Sequence, residues 1–176
     1  MSKTGTSFLD SAKRIFALYQ KLGNDAMSQL EDAHFQWKPD PESNSVYLIV
    51  KHMHGNMLSR WSDFLTSDGE KSWRNRDQEF EDDLLSGKEI MQLYDAGWEV
   101  LHQTLNGLTD AQMGQIVTIR GEEHSVLEAI NRQIAHYSYH VGQIVFLAKA
   151  CKSQQWNSLS IPKNKSQEFN KSLHHL

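Results

Sequence analysis

Apolar residues recur at three- and four-residue spacing in four long stretches of the chain, the signature of amphipathic helices. The first runs from about Ser7 to Leu30, with Phe8, Ile15, Leu18, Tyr19, Leu22, Ala26 and Leu30 on its stripe. The second runs from about Ser45 to Leu65 and aligns Val46, Ile49, Val50, Met53, Met57, Trp61 and Phe64. The third, from about Gly87 to Leu105, aligns Ile90, Leu93, Tyr94, Gly97, Leu101 and Leu105. The fourth, from about Val126 to Ala150, aligns Leu127, Ile130, Ile134, Tyr137, Val141, Ile144 and Ala148.

Boundary signals agree with these stretches. Ser86 precedes Glu89 by three residues and Ser125 precedes Glu128 by three, each a capping box in which hydroxyl and carboxylate satisfy free backbone N–H groups. Thr109 and Gln112 repeat the pattern ahead of a short extra helix. Pro39 and Pro41 break the chain between the first two stretches. Before the fourth, "IVTIRGEEH" is β-branched and turn-bounded, and predicts a small strand or hairpin arm that carries the chain across the bundle. The expected architecture is an all-α four-helix bundle with a short β segment before its last long helix. One domain is expected over residues 1–176, its core at about 7–150. From about residue 152 the chain is polar; Trp156, Leu159 and Ile161 are expected to dock back on the bundle, and "KNKSQEFNKSLHHL" to fray or form a short helix.

Composition narrows the function classes. With 39% hydrophobic and 23% charged residues the chain reads as an ordinary globular protein. A formal charge of −4, with basic residues concentrated on no one helix, argues against nucleic-acid binding. A single cysteine, Cys151, excludes an internal disulfide framework and fits a reducing compartment. The N-terminal "MSKTGTSFLDSAKR" lacks the apolar core of a signal peptide, and no apolar run is long enough to span a bilayer. The expectation is a soluble cytoplasmic protein.

Histidines carry the sharpest chemistry. His136 and His140 are four apart in the fourth stretch, so they stack on one helix face and can share a metal ion. They fall on the flank of the apolar stripe, beside Ala129 and Leu147, where a cleft-lining residue belongs. A third ligand can come from His52 or His54, which point nearly opposite ways and cannot both ligate one ion. Periodicity slightly favours His54, which lies nearer its helix's stripe. Three His plus an open position is the layout of a catalytic site.

"HYSYHVGQI" resembles the HxxxHxGQ signature of the DinB superfamily, the DinB/YfiT-like metalloenzymes. "SVYLIVKHMHGNM" resembles that family's second-helix motif: a polar cap, an apolar run, then His-apolar-x-small. The resemblance covers about residues 7–150, and "KHMHGNMLSRWSDFLTSDGEKSWRNRDQEF" points to an uncharacterised subgroup. It implies a DinB/YfiT-like bundle and a metal held by His52, His136 and His140, which overrides the periodic preference for His54. A helix buried by two neighbours can also bury a flank away from its main stripe. The resemblance further implies a divalent ion, nickel or zinc, water completing its shell, and a homodimer. It implies a small-molecule substrate, with a low-molecular-weight thiol such as bacillithiol or mycothiol as one candidate; the open three-His site itself points to hydrolysis, or to thiol transfer where a thiol replaces the water. No general base can be assigned among the matched positions.

Other residues have two readings each. Asn56, one turn after His52, and Gln143, inside the His–His–Gly–Gln motif, either orient the site or sit on solvated polar faces. Asp63 lies too far along its helix. The charged loop 66–83, with Trp73, Arg74 and Arg76, is either a lid presenting arginine to an anionic substrate or a solvated connection stitched by its own ion pairs; Arg60 has the same two readings. Cys151 reads as a small, at least half-buried apolar residue, and His34, His102 and His124 lack partners at ligand spacing. His174 and His175, in the tail, are weak adventitious metal scavengers. The rival to an enzyme is a non-catalytic, metal-stabilised dimeric bundle acting as a binding or stress-response module.

Overall fold

The computed structural model describes residues 3–81 and 85–173, with side chains of 3–7 and 173 left aside. Four long helices form the body: α1 (Lys3–Met27), α3 (Val46–Trp61), α4 (Gly87–Gly107) and α5 (Val126–Lys152). Short helices α2 (Asp32–Phe35) and α6 (Ser166–Leu173) and a hairpin of β1 (Ile116–Ile119) with β2 (Glu122–Ser125) complete the chain. The protein is thus an all-α bundle with a two-stranded sheet just before its last long helix. α3 packs chiefly on α4 and α1 on α5, while α3–α5 and α1–α4 contacts close the ring.

The helix starts follow from local chemistry. Ser45 Oγ accepts from Leu48 N at 3.2 Å, and the Ser86–Glu89, Thr109–Gln112 and Ser125–Glu128 boxes all form. Along α5, Val126, Ile130, Gln133, Tyr137, Val141, Ile144 and Ala148 are buried at helical spacing. Each long helix contributes one ring to the centre: Phe16, Trp61, Trp98 and Tyr137, with Phe16 6.0–6.1 Å from the other three centroids. Within this apolar centre the Trp61 Nε1–H donates to the Tyr137 hydroxyl (3.0 Å), which donates to Asn56 Oδ1 (2.9 Å). A polar line therefore runs from the core to the face of α3 where Asn56 lies.

Three sequence expectations need correction. α3 ends at Trp61 rather than near Leu65, because the chain turns at Asp63 with φ 50°, and Phe64 is buried from outside the helix. α1 stops at Met27, short of Leu30. Trp156 and Leu159 pack on the core, aided by paired hydrogen bonds between Gln29 and Asn157, but Ile161 stays 40% exposed and does not dock.

The hairpin pairs Ile116 with Ser125 and Ile119 with Glu122, and turns through Arg120 (φ 58°) and Gly121 (φ 76°). Positive φ at both central residues gives the tight turn whose twist matches that of the strands. Asp68 holds it from outside: its carboxylate accepts from Arg120 N at 2.9 Å and Gly121 N at 2.8 Å. Burial works to raise the Asp68 carboxyl, but the backbone N–H groups of Glu70, Gly121 and Arg120 and the Thr118 hydroxyl outweigh it and hold the pKa at about 2. The segment after α3 is thereby fastened to the start of α5.

Candidate metal centre

His136 and His140 project from α5 toward His52 of α3, and one ring nitrogen from each of the three lies within 4.8 Å of the others. His136 Nε2 is 3.4 Å from His52 Nε2 and 3.2 Å from His140 Nε2. Two ligands at about 2.0–2.1 Å from one ion, held at a tetrahedral angle, stand roughly 3.3–3.4 Å apart. The spacing therefore fits a shared ion.

The opposite edges of the rings explain why the Nε2 atoms are free to ligate. His52 Nδ1–H donates to Glu79 Oε2 at 2.9 Å, and His140 Nδ1–H donates to Gln143 Oε1 at 2.9 Å. With the proton fixed on Nδ1, each Nε2 keeps its lone pair and points it at the others. Glu79 is itself gripped by Arg74, Nε to Oε1 at 2.7 Å and Nη2 to Oε2 at 2.9 Å. Burial would raise the Glu79 carboxyl; the hydrogen bonds from His52 and Arg74 and the charge of Arg74 outweigh it and hold it below its ordinary value. Phe80 stacks on His52 (5.4 Å between centroids) and Tyr139 covers His140 (4.2 Å), fixing both rings from the side.

The electrostatics favour neutral imidazole. Burial, then the neighbouring His140 and His52 and the charges of Arg60 and Arg74, push His136 down to about 3. Burial and His52 push His140 down to about 4 against the help of Gln143. Metal ligation needs the deprotonated ring, which is the form imposed on His136 and His140.

The structure separates the candidates cleanly. His52 enters the cluster, whereas His54 turns to the far side of α3 and donates Nδ1–H to Leu93 O at 2.9 Å, so the periodic preference for His54 fails. Gln143 touches the cluster directly. Asn56 does not bond a histidine; it is 5% exposed, bonded to Tyr137, and lines the adjoining cavity. His34, His102 and His124 lie outside the cluster; His34 closes the cap of α2 and His102 Nε2 bonds Gln20 Oε1 at 2.8 Å. Cys151 is half-buried, with its thiol pushed up by burial, as expected of a small packing residue. His174 and His175, and residues 82 and 83 of the loop, lie outside the described residues.

Sequence reasoning missed Glu79. The loop is not simply solvated: a 3₁₀ turn at Asp77–Phe80 brings Glu79 to 7% exposure against α3, and the Arg74 side chain is 2% exposed. The available clue was Gly55. A methyl group there would fall 2.2 Å from Glu79 Oε1, so the glycine three residues after His52 makes room for the carboxylate.

Beside the histidines opens a cavity of about 180 Å³, lined by His52, His136, Asn56, Gln133 and the arginines 60, 74, 76, 120 and 132. Residues 3–165 match the model of the family described as "Protein of unknown function (DUF1572)". The chain belongs to that family. No curated protein matches it. The family match spans every element that builds the site, from α1 through the hairpin to α5. Among the described residues no helix is long and apolar enough to cross a membrane.

Proposed function

We propose that this family member is a metal-dependent enzyme of the DinB superfamily, with one divalent ion, nickel or zinc, held by His52, His136 and His140. The observation that carries the reading is the convergence of three Nε2 atoms at the wall of a cavity, two of them with their Nδ1–H groups fixed by Glu79 and Gln143. A purely structural ion would be closed by a fourth side chain; among the described residues the ligand-type cluster holds three histidines and no more. When bound, the ion supplies Lewis acidity, lowering the pKa of a water or thiol or polarising a carbonyl.

The chain's own residues supply orientation and exclusion. Glu79, braced by Arg74, keeps His52 in the required tautomer and makes it a stronger donor. Gln143 does the same for His140. Phe80 and Tyr139 shield the rings from water on the flanks. The reaction classes consistent with such a site are hydrolysis of a small molecule, or transfer to a low-molecular-weight thiol.

Metal content of tag-free protein by elemental mass spectrometry, beside the His136→Ala/His140→Ala variant, tests the reading. About one equivalent of nickel or zinc is expected in the wild type and none in the variant. A wild-type protein that takes up no divalent metal after reconstitution overturns it.

A further inference from the structure

The sequence contains six arginines and twelve lysines. Five of the six arginines line the cavity beside the histidines, and no lysine does. They arrive from four places: Arg60 from α3, Arg74 and Arg76 from the segment that follows it, Arg120 from the hairpin turn, and Arg132 from α5, one turn before His136. Like charges gathered from separate elements repel one another, so something must offset them. Protein carboxylates do so only in part. Glu79 takes Arg74, and Glu70 takes Arg120 at 3.0 Å with Arg74 more distant at 3.9 Å. Among the described residues Arg60, Arg76 and Arg132 have no ion-pair partner.

Arg60 is the most telling. It is 4% exposed, and its Nε and Nη1 have no hydrogen-bond partner among the described residues. Arg74 Nη1 and Gln133 Oε1 are likewise buried without one. A buried guanidinium with idle donors costs stability unless a ligand satisfies them. Gly69 leaves the space that the Arg60 guanidinium occupies, since a methyl group there would fall 2.7 Å from its Nη1.

We propose that this cavity is an oxyanion pocket, which holds the carboxylate or phosphate group of a small-molecule substrate on Arg60 at its floor and on Arg132, Arg76 and Arg120 toward solvent. The inference rests on reading the cavity as the substrate pocket of the centre above, and names the chemical class that enters it. Guanidinium presents parallel N–H donors in a fixed fork that matches two oxygens of a carboxylate or phosphate, which lysine cannot do. About 180 Å³ is the share of roughly six waters, enough for the anionic head of such a molecule and a few further atoms. His52 and His136 lie in the same wall, so a group attached to the anion is carried to the Nε2 cluster.

Calorimetric titration of the 176-residue protein, metal-free and nickel-loaded, with inorganic phosphate and separately with succinate in chloride buffer, tests this. One site is expected at a Kd of about 1 mM or tighter, and the stronger of the two probes tells phosphate from carboxylate. Arg132→Met and Arg60→Met are each expected to weaken binding at least tenfold while nickel content stays unchanged. Arg132 is exposed, so its variant carries the test if the Arg60 variant does not fold. Binding that is arginine-dependent and persists in the His136→Ala/His140→Ala variant supports the pocket, even where nickel uptake fails and the metal reading falls. Folded, nickel-loaded protein that binds neither probe above chloride overturns the proposal. So does binding that is lost in the histidine variant yet indifferent to Arg132→Met, because the ion alone would then hold the anion.

Discussion

Glu79 lies directly over Gly55, so closely that a Cβ at position 55 would stand 2.2 Å from its Oε1. This approach lets a residue on the connecting segment hydrogen-bond His52 from behind. Gly55→Ala separates two effects. Alanine raises helix propensity by about 1 kcal/mol, which offsets part of the steric cost. The carboxylate, however, is forced off His52, and loss of such a buttress typically lowers metal affinity about 10–100-fold. Competition against a chelator is expected to show the affinity loss, and melts to fall by less than in Glu79→Ala, because the displaced Oε1 is also the partner of Arg74 Nε; unchanged affinity would mean that Glu79 does not support the ligand.

Removing the carboxylate itself is more damaging. Glu79→Ala leaves the Arg74 guanidinium, 2% exposed, with only Glu70 at 3.9 Å. Breaking a buried pair by deleting one partner costs about 3–5 kcal/mol, because the remaining charge is uncompensated. In a chain of this size that corresponds to a Tm loss of roughly 6–20 °C. Glu79→Gln keeps an acceptor for Arg74 and is expected to fall between wild type and Glu79→Ala in melts.

What could be read from the sequence divides along a physical line. Helix starts were legible because caps are local: Ser86 and Glu89, or Ser125 and Glu128, satisfy each other's backbone within one turn. His136 and His140 were legible because one helix fixes their relation whatever surrounds it. His52 was not legible from spacing, since the apolar stripe reports the contact with α4 and α5 but not the segment at 77–80 that covers another flank of α3. Glu79 is 27 residues from His52, and nothing in the composition of "RNRDQEFEDD" distinguishes it from the acids around it. The end of α3 was misread because Phe64 keeps the helical apolar spacing while the backbone turns away at Asp63. The motif glycine makes sense only with Glu79 in view.

The polar line through the core predicts a loss confined to stability. Tyr137→Phe strips Trp61 Nε1–H of its acceptor and Asn56 Oδ1 of its donor, both in buried residues. Each of the two orphaned groups costs about 1–3 kcal/mol, so a Tm drop of roughly 4–24 °C is expected. Tyr137 is not a ligand, and nickel or zinc stoichiometry is expected to stay that of the wild type. A variant that melts like wild type would mean the line carries no net energy.

Acid should weaken the metal-free protein through the histidines. In the unfolded chain these imidazoles take up protons near 6.5, whereas the fold holds His136 to about 3 and His140 to about 4. Between those limits the unfolded state binds more protons, so stability falls as pH drops below 6.5, and the loss saturates near pH 3–4. Carboxylates enter only lower down: Asp68 is held at about 2 from 3.8, and Glu79 and Glu128 are lowered from 4.5, so their contribution is lost below those values. The span from pH 6.5 to about 5 therefore isolates the imidazoles. Allowing for the solvent that reaches the site, the pair contributes on the order of 1 kcal/mol per pH unit there, or about 2–4 °C in Tm. In the His136→Ala/His140→Ala variant the slope is expected to shrink but not vanish, because burial also lowers His54 and His102. Equal slopes in the two metal-free proteins would show that the fold does not hold these rings neutral, and would remove the electrostatic support for ligation at this site.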